Sequence, residues 1–156
     1  MAFEKAKAYL EGFGLGDKII VTEHSSATVA EAAQAIGCEE AMIAKTLSFL
    51  QEDRPVLILA DGTARIDNRK YNDRVGCKAR MIPGDQVEAL VGHAIGGVCP
   101  FGANEGVSVY LDESLRRHEI VYPAVGNDHS GIKLTIPELE KCSGFLEWVD
   151  VCKQPE

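Results

Sequence analysis

Lys45 and the stretch Gly96-Gly97-Val98-Cys99-Pro100-Phe101-Gly102 are the residues whose types and spacing could do chemistry. Three glycines and a proline in seven residues cannot build a helix or a regular strand. Glycine permits positive φ and close backbone approach, while proline fixes φ and withholds a donor. Such a loop is either a tight connection between core elements or a binding wall. As a wall it would aim successive N–H groups at an anion or a developing oxyanion. Lys45 falls within Ile43 to Leu50, which reads as a strand. A period of two puts Lys45, Leu47 and Phe49 on one face and Thr46 and Ser48 on the other. A lysine among large apolar groups either snorkels from a strand end or sits in a cleft where its charge has a use.

Other chemistries find less support. Cys99 could be a nucleophile, with His93, His118 or His129 as its base, but no Cys/His signature surrounds it. The four histidines lack metal-ligand spacing, so no metal site is expected. Asp128-His129, between Gly126 and Gly131, is either a surface turn or a substrate-contacting loop. There is no isolated carboxylate pair, no G-x-S-x-G elbow and no P-loop. The glycines at Gly12, Gly14 and Gly16 follow a helical pattern and not a strand, so they read as a stop and turn. From Arg65 to Arg80 six basic residues (Arg65, Arg69, Lys70, Arg74, Lys78, Arg80) face two acidic ones (Asp67, Asp73). That run is either a solvated helix face or a small phosphate-contacting patch. A lysine, a donor-rich loop and a basic helix together suit a phosphate-bearing substrate whose carbonyl is polarised without a covalent intermediate.

The totals narrow the setting. A chain of 156 residues is expected to form one domain, 1–156, able to bury roughly 70% of its unfolded surface. A net charge of −8 disfavours sequence-blind binding to long nucleic acid. Early charges (Glu4, Lys5, Lys7) leave no signal-peptide core, and no run is long enough to span a bilayer. Five widely spaced cysteines without a C-x-x-C pair argue against disulfides and structural zinc, and a reducing cytoplasm fits best.

The elements that must position these residues follow from periodicity and punctuation. Phe3, Ala6, Leu10 and Phe13 mark an amphipathic helix, and Lys18 to Thr22 a strand. Thr28 opens a helix with Glu31 completing a capping box; Val29, Ala32, Ala33 and Ile36 form its buried face, and Gly37 ends it. Val56 to Ala60 reads as a central strand closed by the Asp61-Gly62 turn, and Asn68 to Val75 as the short basic helix. Cys77 to Ile82 is expected to be a strand and Pro83 to Val91 a helix. Val107 to Leu111, Ile120 to Ala124 and Ile132 to Ile136 are three further strands. A helix from Pro137 and a strand from Phe145 to Val151 complete the chain. The pattern predicts an α+β fold with surrounding helices on a mixed, largely antiparallel sheet, curled into a partial barrel.

Four segments resemble the YbaK/ProX-type family, freestanding relatives of the editing domain inserted in bacterial prolyl-tRNA synthetases. They are Thr28 to Gly37, Ile43-Ala44-Lys45-Thr46-Leu47, the loop Gly96 to Gly102, and Gly126 through Leu134, in the family's order. The resemblance covers about residues 20 to 150. It implies the YbaK-like fold and hydrolysis, in trans, of the ester in tRNA carrying a small wrong amino acid, of the Ala- or Cys-tRNA(Pro) type. The lysine matching Lys45 lies in such active sites, and the loop matching Gly96 to Pro100 lines the amino-acid pocket. Often a water or a substrate group attacks instead of a protein nucleophile. On this basis Lys45 and the N–H groups of Gly97 and Val98 are expected to be catalytic. Thr46, Gly96, Cys99, Pro100, Phe101, Gly102, Asp128 and His129 are expected to contact substrate, and Arg69, Lys70 and Arg74 the tRNA. No metal or organic cofactor is expected. The partners would be the acceptor end of tRNA and, in some settings, prolyl-tRNA synthetase, with no membrane. Cys99 stands at a loop site that varies among relatives, and Asp128-His129 where some carry more basic residues. Two rivals remain at this level: a non-catalytic tRNA- or synthetase-binding module, and a thiol hydrolase using Cys99.

Overall fold

The computed structural model describes residues 2–154 and, within them, five α-helices and ten strands. In chain order these are α1 (Ala2–Glu11), β1 (Ile19–Val21), α2 (Val29–Ile36), β2 (Ala44–Gln51), β3 (Arg54–Asp61), β4 (Arg65–Ile66), α3 (Asn68–Val75), α4 (Val87–Val91), β5 (Ser108–Asp112), β6 (Ile120–Val121), β7 (Ser130–Ile132), β8 (Leu134–Thr135), α5 (Ile136–Cys142), β9 (Glu147–Val149) and β10 (Cys152–Lys153). The main sheet has the order β2-β3-β5-β9; β2 and β3 are antiparallel, whereas β3–β5 and β5–β9 are parallel. Antiparallel pairs β1–β7, β4–β10 and β6–β8 surround it. The architecture is the expected mixed α+β, and none of its sheets closes into a barrel.

Strand β3 is the spine. Its run Val56 to Ala60 is apolar at every position because both faces are covered, and each of these residues is at most 1% exposed. Leu57 and Leu59 pack with Leu10 of α1, Val91 of α4, Phe101 and Leu111. Val56, Ile58 and Ala60 pack on the opposite side with Phe49 and Tyr71 of α3. Burying a leucine fully contributes about 1.5–3 kcal/mol, so this one strand anchors both layers.

Helix ends follow the sequence signals closely. Thr28 Oγ1 accepts from Glu31 N at 3.1 Å, but the Glu31 carboxylate returns to the Thr28 hydroxyl and not to its backbone. Asp67 caps α3 through Arg69 N and Lys70 N, and Thr135 with Glu138 completes a reciprocal capping box on α5.

Other boundaries differ. Cys77 to Ile82 is no strand: it touches β2 through a single bridge, Phe49 to Met81, and two flanking hydrogen bonds. Pro83 to Val91 is a short 3-10 turn, Gly84–Gln86, followed by α4. Ile120 to Ala124 forms a strand only over Ile120–Val121, with Tyr122 bridging Ile43; beyond it Pro123 offers no donor and its carbonyl accepts from Ile132 N. Ile132 to Ile136 divides between two partners, β7 pairing with β1 and β8 with β6. Phe145 to Val151 breaks where Asp112 Oδ1 takes the Val151 N–H at 2.9 Å. Phe13 lies beyond α1 and is 42% exposed.

Candidate active site

The site forms where the outer edge of β2 loses its partners. At one end Tyr122 N donates to Met42 O and Ala44 N to Tyr122 O; at the other Ile82 N donates to Ser48 O and Leu50 N to Arg80 O. Residues of a strand alternate in the edge they address, so Thr46, midway, turns its N–H and C=O to the same edge. No backbone partner meets them there among the described residues. A cavity of about 300 Å³ occupies the gap, walled by β2, the start of α2, Gly96 and Val98 of the glycine loop, and Ser130. Met81 and Ile95, 60% and 67% exposed, form an apolar rim.

Lys45 belongs to this wall, but its alternation points the side chain away from Thr46 and Ser48, toward the layer of Leu47 and Phe49. The ammonium is half-buried and donates to Gly62 O at 3.3 Å and to Ala64 O. Two of its three N–H groups are thus used within the chain. Burial lowers its pKa from the ordinary lysine value; Cys152 and Asp61 oppose that shift and Arg65 adds to it. The corner supplying both carbonyls is itself built around Asp61, which is 0% exposed. Asp61 Oδ1 accepts from Thr63 N and Oγ1 at 2.7 Å, and Oδ2 lies 2.7 Å from His118 Nε2. Burial raises the Asp61 pKa, yet these hydrogen bonds outweigh it and hold the carboxyl below its usual range. Gly62 is required at the corner, since a Cβ there would lie 2.0 Å from Glu40 O.

The glycine loop is only partly as expected. Gly96 and Val98 line the cavity, and their N–H groups have no partner among the described residues. The Gly97 N–H is not free, because it closes a turn on Ala94 O at 3.1 Å, so the oxyanion donors expected at Gly97 and Val98 reduce to Val98. Cys99, Pro100, Phe101 and Gly102 do not line the cavity. Cys99 and Phe101 are 0% exposed and belong to the main core behind the loop. Phe101 O accepts from His93 Nε2 at 2.8 Å, and Cys99 Sγ lies 3.8 Å from the same oxygen. His93 therefore braces the loop and is bonded to a carbonyl instead of the thiol.

Burial pushes the Cys99 thiol up to about 12, which leaves almost no thiolate near neutrality. Cys99→Ser is accordingly expected to keep activity within a few-fold, because a hydroxyl can still donate to Phe101 O. Cys99→Val overfills a packed site and is expected to cost about 1–3 kcal/mol of stability. Turnover and thermal melts measure the two effects. A dead but well-folded serine variant, with an acid-stable acyl adduct on Cys99, would restore the thiol hydrolase.

Asp128 and His129 are exposed and pair with each other. Neither lines the cavity; Thr22 N donates to His129 O, extending the β1–β7 pair, and Ser26 N donates to Asp128 O, tying the approach to α2 to the same segment. In the basic helix, Lys70 pairs with Asp150 at 3.1 Å and Arg74 with Glu147, while Arg69 is exposed. Sequence reasoning missed Asp61, Ser48 and Ser130. The Asp61-Gly62 turn was legible, but its partner His118 lies 57 positions away and left no local signal.

Residues 23–142 match the family model of the aminoacyl-tRNA editing domain. The chain belongs to this family, in its YbaK-type branch. It is 43% identical over 157 residues to the uncharacterized protein YwhH of Bacillus subtilis (strain 168), with 100% of both chains covered. It is also 30% identical over 95 residues to the proline–tRNA ligase of Limosilactobacillus fermentum, covering 57% of this chain and 17% of the ligase. The crystal structure of a candidate trans-editing enzyme for prolyl tRNA synthetase superposes with a TM-score of 0.86 at 34% identity, with 97% of each chain covered. Among the described residues no helix is long and apolar enough to cross a membrane.

Proposed function

We propose that the chain is a trans-acting deacylase that hydrolyses the ester of tRNA(Pro) carrying a small wrong amino acid such as alanine, cysteine or serine. The observation that carries this reading is the cavity at the unpaired edge of β2, where backbone donors of Thr46, Gly96 and Val98 and the half-buried Lys45 converge in a member of an editing family. The remaining Lys45 N–H would hold the ester carbonyl or the terminal phosphate. The N–H groups of Val98 and Thr46 would take the charge that develops on the carbonyl oxygen. Water, or a group of the substrate, would attack; no protein nucleophile, metal or organic cofactor is needed. The chemistry answers a limit of recognition: a hydrophobic pocket separates substrates differing by one methylene by only about 1–3 kcal/mol, so a second sieve is required.

A deacylation screen across mischarged tRNAs tests this reading directly. Turnover of one or more small-residue esters supports it. Tight tRNA or synthetase binding with no turnover of any ester would favour the binding module.

The tRNA is expected to approach along α3. Because Lys70 and Arg74 are already paired within the chain, few free charges contribute, and the salt dependence should be shallow. Each phosphate contact adds about −0.7 to −0.9 to the slope of log K against log salt. Changing Arg69, Lys70 and Arg74 together to Glu is expected to weaken tRNA binding and flatten that slope. Unchanged affinity and slope in a salt titration would make α3 only a solvated face.

A further inference from the structure

The corner that holds Lys45 carries more charge than a turn requires. Asp61 ends β3, and the register pairs Lys45 of β2 with Ala60, one residue before it. The turn closes through the backbone, Ala64 N donating to Asp61 O at 2.9 Å. Asp61 Oδ1 secures it by accepting from Thr63 N and Oγ1, each at 2.7 Å. One side-chain oxygen meets that need, and an asparagine would supply it equally well. The second oxygen serves a different purpose. Oδ2 lies 2.7 Å from Nε2 of His118 and 3.8 Å from the Arg117 guanidinium. A carboxylate only accepts, so Nε2 carries the proton and donates. His118 is itself fixed, since its N–H closes the 3-10 turn Glu113–Arg117 on Leu115 O at 3.1 Å. Ser114 Oγ of the same turn accepts from Asp61 N at 3.1 Å.

A carboxylate that is 0% exposed is costly to bury unless its charge has a partner. Asp112, the last residue of β5 and 1% exposed, takes the purely structural course. Its Oδ1 accepts from Val151 N and its Oδ2 from Ser114 N, both at 2.9 Å, so backbone takes up both oxygens. Asp61 instead gives one oxygen to its turn and holds the other on an imidazole brought from 57 positions away. The same turn presents Gly62 O and Ala64 O to the half-buried Lys45 ammonium. Two carbonyls orient an ammonium but carry no net charge to offset its burial. On the reading that Lys45 is the ammonium of the active site, we propose that Asp61 is its positioning residue: the carboxylate, oriented by His118, fixes the corner that grips Nζ and supplies the negative charge that keeps Nζ protonated. Burial and Arg65 of β4 disfavour the charged form of Lys45, while Cys152 and Asp61 favour it. Burial holds the Cys152 thiol up at about 12, however, so it is neutral where an ordinary lysine titrates. Asp61 is then the anion of that set.

The test reads the Lys45 ammonium directly, by heteronuclear NMR of isotope-labelled lysine, its Nζ signal assigned by its absence from Lys45→Arg. Asp61→Asn keeps an acceptor for Thr63 but removes the charge, so the Lys45 midpoint is expected to fall by about one pH unit. The alkaline limb of kcat/KM for deacylation should move down with it. Asp112→Asn is the comparison: it should lower the melting temperature and leave the midpoint in place. His118→Leu is expected to lower the order parameter of the Lys45 ammonium. His118→Gln, whose amide still donates to Oδ2, should preserve it. A midpoint unmoved in a folded Asp61→Asn protein, or moved equally by Asp112→Asn, overturns the proposal and makes Asp61 a turn residue only. If Asp61→Asn does not fold, the two His118 variants decide. An ammonium loosened by leucine and not by glutamine sustains the proposal; no difference between them ends it. A protein that cleaves no aminoacyl ester loses the deacylase reading, while the titration still decides whether Asp61 governs Lys45.

Discussion

Lys45→Ala is expected to lower kcat/KM for deacylation about a hundredfold or more while leaving the far-ultraviolet circular dichroism unchanged. Among the described residues that line the cavity Lys45 is the charged one, the others offering hydroxyls, backbone and apolar groups. It is also preorganised, because Gly62 O and Ala64 O fix the ammonium before any substrate arrives. A preorganised donor aimed at developing charge is worth on the order of 3 kcal/mol, which sets the size of the loss. The fold should survive, since the substitution removes a half-buried charge while leaving the Gly62 and Ala64 carbonyls without this donor, effects of opposite sign. The pH profile gives a second reading of the same group. In the proposed mechanism Lys45 acts as the ammonium, and burial makes that form easier to deprotonate than in an ordinary lysine. Activity should therefore fall as pH rises, with its midpoint below the usual lysine value. A folded Lys45→Ala protein of near wild-type activity would remove Lys45 from the mechanism, and so would activity that rises through that pH range and disappears in the alanine variant, since the neutral amine would then be the active form.

Gly97→Ala should be comparably severe for a different reason. A Cβ at Gly97 would lie 2.3 Å from Asn127 N and 2.5 Å from both Asn127 Cα and Gly126 C. All three are backbone atoms, so no side chain can turn aside, and the two loops must separate by about 1 Å to restore ordinary contact. The same loops are joined by Gly126 N donating to Gly97 O at 3.1 Å, a bond that separation would stretch. A displacement near 1 Å at a catalytic wall can cost about a hundredfold in rate, and Gly96 and Val98 on that wall flank the substituted residue. The expected result is a loss of kcat/KM of that order together with a lower melting temperature. Gly106→Ala serves as the comparison, because its φ is +87° but nothing lies within 4 Å of the added methyl. It should cost about 1 kcal/mol of stability through the left-handed backbone and leave turnover intact. Equal activity in the two variants would show that contact between the loops does not set the cavity wall.

Much of this protein is legible in one dimension because the signals are local. The Thr28, Asp67 and Thr135 caps, the glycines that end α2 and α3, and the apolar run of β3 each depend on neighbours within a few positions. Lys45 and the glycine loop were also found this way, as a cation and a flexible stretch that composition alone makes conspicuous. Strand alternation correctly put Lys45 with Leu47 and Phe49. What alternation could not say is which face would border the cavity. That was decided by Tyr122 and Ile82, which cover the two ends of β2's outer edge and leave Thr46 open between them. Long-range pairing also set the fate of the loop. His93 and the main core draw Cys99 and Phe101 inward, leaving only Gly96 and Val98 at the cavity. Ser48 and Ser130 carried no local signal at all, since a serine in a strand is chemically silent until its surroundings decide whether its hydroxyl has a partner. The sequence by itself determined the elements, their ends and the candidate cation; the tertiary structure decided which backbone edges and hydroxyls went unpaired, because hydrogen bonds between distant segments are fixed only when the chain packs.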